Sequence, residues 1–91
     1  MSLSRSNDAF RRTLIGGKVE YSDGIDVKLR PALLEKVRYL HVDDATAHDD
    51  ISFEHDGVKY RAHIDYFDVC YFHPVDPDQA ANRILTLRRE Q

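Results

Sequence analysis

Two stretches of the chain carry hydrophobic residues at the three- and four-residue spacing of an amphipathic helix. The first spans residues 8–15, and the glycine pair at 16 and 17 then tolerates the positive φ that commonly ends a helix. The second spans residues 31–40, and Pro31 suits its first turn. The hydrophobic positions are Ala9, Phe10 and Leu14 in the first helix, and Leu33, Leu34, Val37 and Leu40 in the second.

Three other stretches alternate polar and apolar residues as β-strands do: residues 18–22, 51–55 and 58–66. The last two flank Asp56-Gly57, a dipeptide typical of two-residue hairpin turns, so residues whose numbers sum to 113 should lie opposite each other. A slip of one residue would bury the charged face, which favours this register. The apolar pairs are Phe53 with Tyr60 and Ile51 with Ala62; the polar pairs are Glu54 with Lys59, Ser52 with Arg61, Asp50 with His63 and His48 with Asp65.

The C-terminal third has a weaker pattern. Residues 68–77 contain two prolines and indicate a loop with some pairing, in which Cys70 is expected to be a small buried hydrophobe. A short helix is expected to start near residue 77, and residues 84–88 favour a final strand over a helix. The prediction is a single α+β domain over residues 1–91, with two helices on one face of a mostly antiparallel sheet of three or four strands. The sheet residues Val58, Tyr60, Ala62, Ile64 and Tyr66 would form the floor of its core.

Composition fits a folded globular chain: 42% of the 91 residues are hydrophobic and 32% are charged. The single cysteine cannot form an intramolecular disulfide, which favours a reducing compartment. The N-terminal residues lack the apolar core of a signal peptide, and no apolar run is long enough to cross a bilayer. The expected location is therefore cytoplasmic, without a membrane partner.

Charge is distributed unevenly. Residues 41–78 hold all five histidines and ten of the sixteen acidic residues against two bases, although the whole chain carries only −3. Crowded carboxylates repel one another, so a protein partner with a basic surface would explain them, with solubility as the alternative. Direct nucleic-acid binding is not expected, and the bases Arg5, Arg11, Arg12 and Lys18 are taken as a solvated helix face. The predicted partner-binding residues are Asp43, Asp44, Asp49, Asp50, Glu54 and Asp56.

A second cluster contains histidine and aspartate residues, which can bind metals and transfer protons. In the predicted hairpin, His48, Asp50, His63 and Asp65 share the polar face, where they could hold a divalent metal or activate a water molecule. None of these histidines shows a zinc-binding spacing, and cross-strand charge pairing explains the same residues structurally. The favoured interpretation therefore includes no catalytic residue, no metal and no cofactor.

Several short landmarks follow one another along the chain. The longest is NDAFRRTLIGG at residues 7–17, and the others are HD at 48–49, IDYFD at 64–68, DPD at 76–78 and RILTL at 83–87. In this order they resemble a small bacterial domain family of unknown function whose members are often carried on plasmids and other mobile DNA. The chain departs from the family's pattern at residues 43–50 and at His63, where lysine is usual. The resemblance implies a context of mobile DNA and no particular reaction.

Three functions follow as hypotheses. The first is a non-enzymatic inhibitor, for example of the anti-CRISPR type, that uses its acidic surface to block a nucleic-acid-binding groove. The second is a metal-dependent hydrolase or nuclease that uses the four His and Asp residues of the hairpin. The third is a homodimeric adaptor that assembles through an exposed sheet edge, although the sequence does not identify which strand lies at that edge.

Overall fold

The computed structural model describes residues 3–22, 24–42 and 48–90 and has the α+β architecture expected from the sequence. Two helices, α1 (Leu3–Thr13) and α2 (Arg30–Arg38), accompany one four-stranded sheet. The strands are β1 (Gly17–Tyr21), β2 (Asp50–His55), β3 (Val58–Phe67) and β4 (Asn82–Arg89). Single turns of 3₁₀-helix precede α2 (Val27–Leu29) and β4 (Pro77–Gln79).

The sheet is mixed, with the strand order β1-β4-β3-β2. β4 runs antiparallel to β3 and parallel to β1, so the last strand of the chain lies between the first strand and the hairpin. The expected final strand at residues 84–88 is confirmed and is longer than expected. β1 and β2 form the two edges of the sheet among the described strands.

The hairpin register predicted from Asp56-Gly57 is confirmed over β2 and β3. Phe53 lies opposite Tyr60 and Asp50 lies opposite His63, as the sum of 113 requires. Both turn residues have positive φ, 51° at Asp56 and 78° at Gly57, which is the geometry that this dipeptide favours. The ladder ends at the pair of Asp50 with His63, so the predicted pairing of His48 with Asp65 does not form.

The first helix extends further toward the N-terminus than the sequence predicted and ends earlier. It ends at Thr13, and Leu14 and Gly16 then adopt positive φ, at 60° and 91°. Ile15, predicted to be helical, is 79% exposed. Gly17 lies so close to α1 that an added Cβ would stand 2.0 Å from the carbonyl oxygen of Arg83 and 2.6 Å from the Phe10 ring. Glycine at this position therefore allows the helix and two strands to approach each other.

The core lies between the helices and one face of the sheet. Phe10 of α1, and Leu33 and Val37 of α2, pack against the predicted floor of β3 and against β4. Leu85 and Leu87 of β4 are fully buried, as are Leu33 and Val37. The opposite face of the sheet bears mostly polar side chains, and neither of the two described helices packs on it. The buried residues of the sheet in this core are Ile51, Phe53, Tyr60, Ala62, Ile64, Leu85 and Leu87.

Candidate functional site

The predicted hairpin cluster is only partly assembled. On the open face of the sheet, His63 lies between two carboxylates: its Nε2 is 3.0 Å from Oδ1 of Asp65, and its Nδ1 is 3.8 Å from Oδ1 of Asp50. His48, the fourth predicted member, lies elsewhere. Within the described residues, no three His, Cys, Asp or Glu side chains form a group that could hold a metal ion.

His48 instead contacts the first helix. Its Nδ1 lies 3.0 Å and 3.2 Å from the two carboxylate oxygens of Asp8, and the residue is 8% exposed. Its backbone has a φ of 60°, which is uncommon for a residue other than glycine and carries a cost in free energy. The contact with Asp8 helps to hold this conformation immediately before β2.

A second polar network joins α1 to the segment at residues 48–49 that precedes β2. The Tyr66 hydroxyl donates to Oδ2 of Asp49 at 2.8 Å and accepts from Nδ2 of Asn7 at the same distance. Nε of Arg83 donates to Oδ1 of Asn7 at 3.0 Å, and its guanidinium lies 5.5 Å from the centre of the Tyr66 ring. Asn7 has no exposed surface. The side chain of Asn7 thus connects α1 to both β3 and β4.

The environment of Tyr66 changes its acidity. Burial, helped by the neighbouring Asp49 carboxylate, raises the pKa of its hydroxyl to about 12, although Asn7 and Arg83 oppose the shift. Tyr66 is therefore neutral at ordinary pH and acts as a hydrogen-bond donor to Asp49. It is a structural donor rather than a proton acceptor under these conditions.

Arg11 has a role that the sequence analysis missed. It was expected on a solvated face, but it is 1% exposed. Its guanidinium donates to the carbonyl oxygens of Val37 and Leu40, each at 2.8 Å, and to Oδ1 of Asp8 at 2.9 Å. These bonds satisfy carbonyl groups at the end of α2, where cations are favoured. Arg11 therefore fixes the position of α2 against α1.

These buried groups come from the landmark segments of the sequence. Asn7, Asp8 and Arg11 belong to the first landmark, while Asp49, Tyr66 and Arg83 belong to three others. One signal in the sequence indicates this arrangement: Asn7, Phe10 and Arg11 recur at helical spacing and therefore share one side of α1. The partners of Asn7 and Arg11 lie far away in the chain, and local spacing does not identify them.

The six predicted partner-binding carboxylates have different environments. Asp43 and Asp44 lie outside the described residues. Asp49 is half-buried against Tyr66, and Asp50 pairs with Arg61 at 2.9 Å while its side chain remains 45% exposed. Glu54 is exposed on the open face, and the Asp56 side chain at the hairpin turn is 86% exposed.

Arg61 organises the charges on the open face. Its guanidinium bonds Asp50 and reaches Oε1 of Glu90 at 2.7 Å, and Glu90 also accepts from the Ser52 hydroxyl at 3.0 Å. The hydrogen bonds from Ser52 and Arg61 lower the pKa of Glu90, and those to Asp50 and Glu90 raise the pKa of Arg61. The positive charge of Arg61 is thus compensated within the molecule.

The loop after β3 exposes apolar side chains. Val69 and Phe72 are 74% and 79% exposed, and Cys70 is also exposed, so the predicted burial of this cysteine is wrong. The reason is a reversal of the chain after Phe67: the backbone N–H of Tyr71 donates to the carbonyl of Asp68 at 3.1 Å, and Tyr71 has a φ of 62°. The apolar run therefore lies in a tight loop and not in a strand.

Comparison with known proteins does not assign a family to this site. The chain matches no protein-family model, no curated protein and no solved structure. The resemblance of its landmarks to a family from mobile DNA therefore stays a prediction. In the described part of the chain, no helix is long and apolar enough to cross a membrane.

Proposed function

We propose that this protein is a non-enzymatic inhibitor that binds a basic, nucleic-acid-binding groove on another protein, in the manner of an anti-CRISPR protein. The observation that carries the proposal is the set of exposed carboxylates on the β2–β3 hairpin. The side chains of Asp50, Asp56 and Asp65 are 45%, 86% and 50% exposed, and Glu54 is exposed between them on β2.

The hairpin holds these charges at defined positions. Asp50 and Glu54 lie on the same face of one strand, about 13 Å apart at the usual rise of a β-strand. Because the strand is paired with β3 along its whole length, little backbone freedom is lost when a partner binds. A fixed row of negative charges is the feature that complements a groove lined with lysine and arginine.

Internal ion pairing also favours a basic partner. Arg61 is one of two bases on the hairpin, and its charge is balanced by Asp50 and Glu90. Lys59, opposite Glu54, is the other. The hairpin at residues 50–67 carries four carboxylates against these two bases, and its attraction for a basic partner should weaken with salt because surface charges are screened over about 8–10 Å.

Two exposed apolar side chains lie at the end of β3 that is opposite the hairpin turn. Phe72 and Val69 project from the loop that follows β3, and the backbone N–H of Phe72 is fixed by a 3.0 Å bond to Oδ1 of Asp68. The Asn82 amide also donates to the Val69 carbonyl at 3.0 Å. Aromatic side chains held in this way often supply much of the binding energy at protein interfaces, with charged residues around them.

The test is capture of effector complexes by the tagged protein from lysates of bacteria that contain CRISPR systems, at about 0.05 M and about 0.5 M salt. We expect a nucleic-acid-binding effector to be captured at low salt and lost at high salt. The double variant Glu54→Gln/Asp56→Asn should reduce capture at low salt. Glu35→Gln is the matched control, because Glu35 is exposed on α2 and should leave capture unchanged.

Two results would count against the proposal. Capture that is equal for the double variant and the control would show that the hairpin carboxylates do not bind the partner. Absence of any effector at both salt concentrations would contradict the inhibitor function itself.

A further inference from the structure

β1 leaves one side of its backbone open. It lies at the end of the strand order, paired with β4 on one side, and no other described strand lies beside it. The N–H of Arg83 donates to the carbonyl of Gly16, and the N–H of Ser22 donates to the carbonyl of Leu87. Because backbone groups alternate along a strand, Gly17, Val19 and Tyr21 direct their N–H and C=O groups toward the open edge.

We propose that this edge binds a second copy of the chain, with β1 pairing antiparallel to β1 around a two-fold axis at Val19. The three outward-directed residues define the register: Val19 faces Val19 of the second copy, and Gly17 faces Tyr21. All three then exchange backbone hydrogen bonds. The two sheets become one continuous sheet of eight strands, with the helices of both copies on the same face.

The charges of β1 are complementary to themselves in this register. Lys18 of each copy lies directly opposite Glu20 of the other, at the closely spaced positions where opposite charges stabilise a strand pair. Both side chains are about half exposed, at 51% and 54%. They lie 3.6 Å apart within one chain, and Lys18 also lies 4.8 Å from the centre of the Tyr71 ring, so the dimer exchanges these contacts for pairs across the axis. Two such pairs form across the two-fold axis.

The other edge of the sheet disfavours the same association. The N–H of Ile64 donates to the carbonyl of Asp49, so Asp50, Ser52 and Glu54 direct their backbone groups outward from β2. Antiparallel pairing of β2 with itself would place Asp50 opposite Glu54 of the second copy, where like charges repel. Lys36 also donates to the Glu54 carbonyl and covers part of this edge. The charge pattern therefore selects β1 over β2.

Exposed apolar residues flank β1. Ile15, two residues before the strand, is 79% exposed, and Val27, six residues after it, is 68% exposed. Exposed apolar side chains beside an open strand edge favour association there.

The experiment is sedimentation equilibrium of the full chain over a range of concentrations, with circular dichroism to verify that each variant is folded. We expect the wild-type protein to have twice the 10.6 kDa chain mass. Glu20→Lys or Lys18→Glu should each raise the dissociation constant by about tenfold or more, because two attractive pairs become repulsive. The combined exchange Lys18→Glu/Glu20→Lys should restore the dimer.

Two further variants separate this edge from other modes of association. Val19→Pro removes an N–H that faces the open edge, not β4, so it should give a folded monomer. Glu35→Lys, at an exposed position of α2, should leave the mass unchanged. A wild-type monomer at about 0.5 mM would overturn the proposal, since such a dimer would be weaker than about 1 mM. A dimer that survives Glu20→Lys and Val19→Pro would also overturn it.

Discussion

Replacement of Tyr66 by phenylalanine tests the buried network most simply. The change removes one oxygen atom and keeps the ring that Arg83 contacts. It eliminates the 2.8 Å bond to the Asp49 carboxylate and the 2.8 Å bond from the Asn7 amide. Asn7 is fully buried, so solvent does not readily replace the lost partner.

The expected loss of stability follows from these two bonds. Loss of the partner of a buried amide costs about 1–3 kcal/mol, and a bond to a carboxylate contributes about 1.5–3 kcal/mol. Tyr66 and Asp49 are half-buried, so water compensates for part of the second loss. We expect Tyr66→Phe to lower the free energy of unfolding by about 2–3 kcal/mol, which corresponds to about 10–20 °C in Tm for a domain of this size.

The assay is urea unfolding followed by circular dichroism, with Tyr39→Phe as the matched control. Tyr39 is 62% exposed at the end of α2, so its hydroxyl should contribute less than about 0.5 kcal/mol. Equal small effects of the two substitutions would refute the argument that the Tyr66 hydroxyl stabilises contacts between α1 and the sheet.

The pH dependence provides a second test of the same side chain. The pKa of Tyr66 is about 12 in the folded protein, compared with 10.0 for an ordinary tyrosine, mainly because of burial. Between these values the folded state retains a proton that the unfolded state loses, so the stabilisation is complete below about pH 10 and decreases as pH rises toward about 12. The Tyr66→Phe variant should lack this part of the alkaline decrease in unfolding free energy.

Three further predictions concern packing and charge. Gly17→Ala should destabilise the protein by about 3 kcal/mol or more in thermal unfolding, because the new Cβ would overlap the Arg83 carbonyl oxygen and the Phe10 ring. Gly24→Ala is the control, since its Cβ meets no atom within 4 Å and should have little effect. Arg11→Met should cost about 3 kcal/mol or more in urea unfolding, since it leaves two carbonyl groups and a carboxylate without their donor. Arg61→Gln should raise the pKa of Glu90, measured by NMR titration, because Arg61 helps to hold that pKa below 4.5. In the wild-type protein, the stability that Glu90 contributes should be lost as pH falls through this lowered pKa.

The hairpin was predictable because its determinants are local. Asp56-Gly57 sets the turn, and alternation of polar and apolar residues then sets the register of both strands without information from elsewhere in the chain. The final strand was also predictable from residues 84–88. The central place of β4 in the sheet was not predictable, since it depends on the pairing of β4 with β1, which lies more than sixty residues earlier in the sequence.

The polar site was less predictable for a related reason. His48 was placed by extending the hairpin alternation beyond Asp50, but a contact with Asp8, forty residues away, and a φ of 60° determine its position. Arg11 was assigned to solvent because arginine usually is exposed, although its helical spacing from Asn7 places both on the inner side of α1. Burial of Cys70 was predicted from the apolar run that contains it, but this run forms a chain reversal that leaves Cys70 exposed.

The most direct test of the proposed inhibition is a competition measurement on an effector recovered by the capture experiment. Fluorescence anisotropy would follow a labelled nucleic acid bound to the purified effector while this protein is added. We expect the nucleic acid to be released as the concentration of this protein approaches that of the effector. The Glu54→Gln/Asp56→Asn variant should release less of it at the same concentration. If the nucleic acid stays bound while the effector is saturated with this protein, the acidic hairpin does not occupy the nucleic-acid groove.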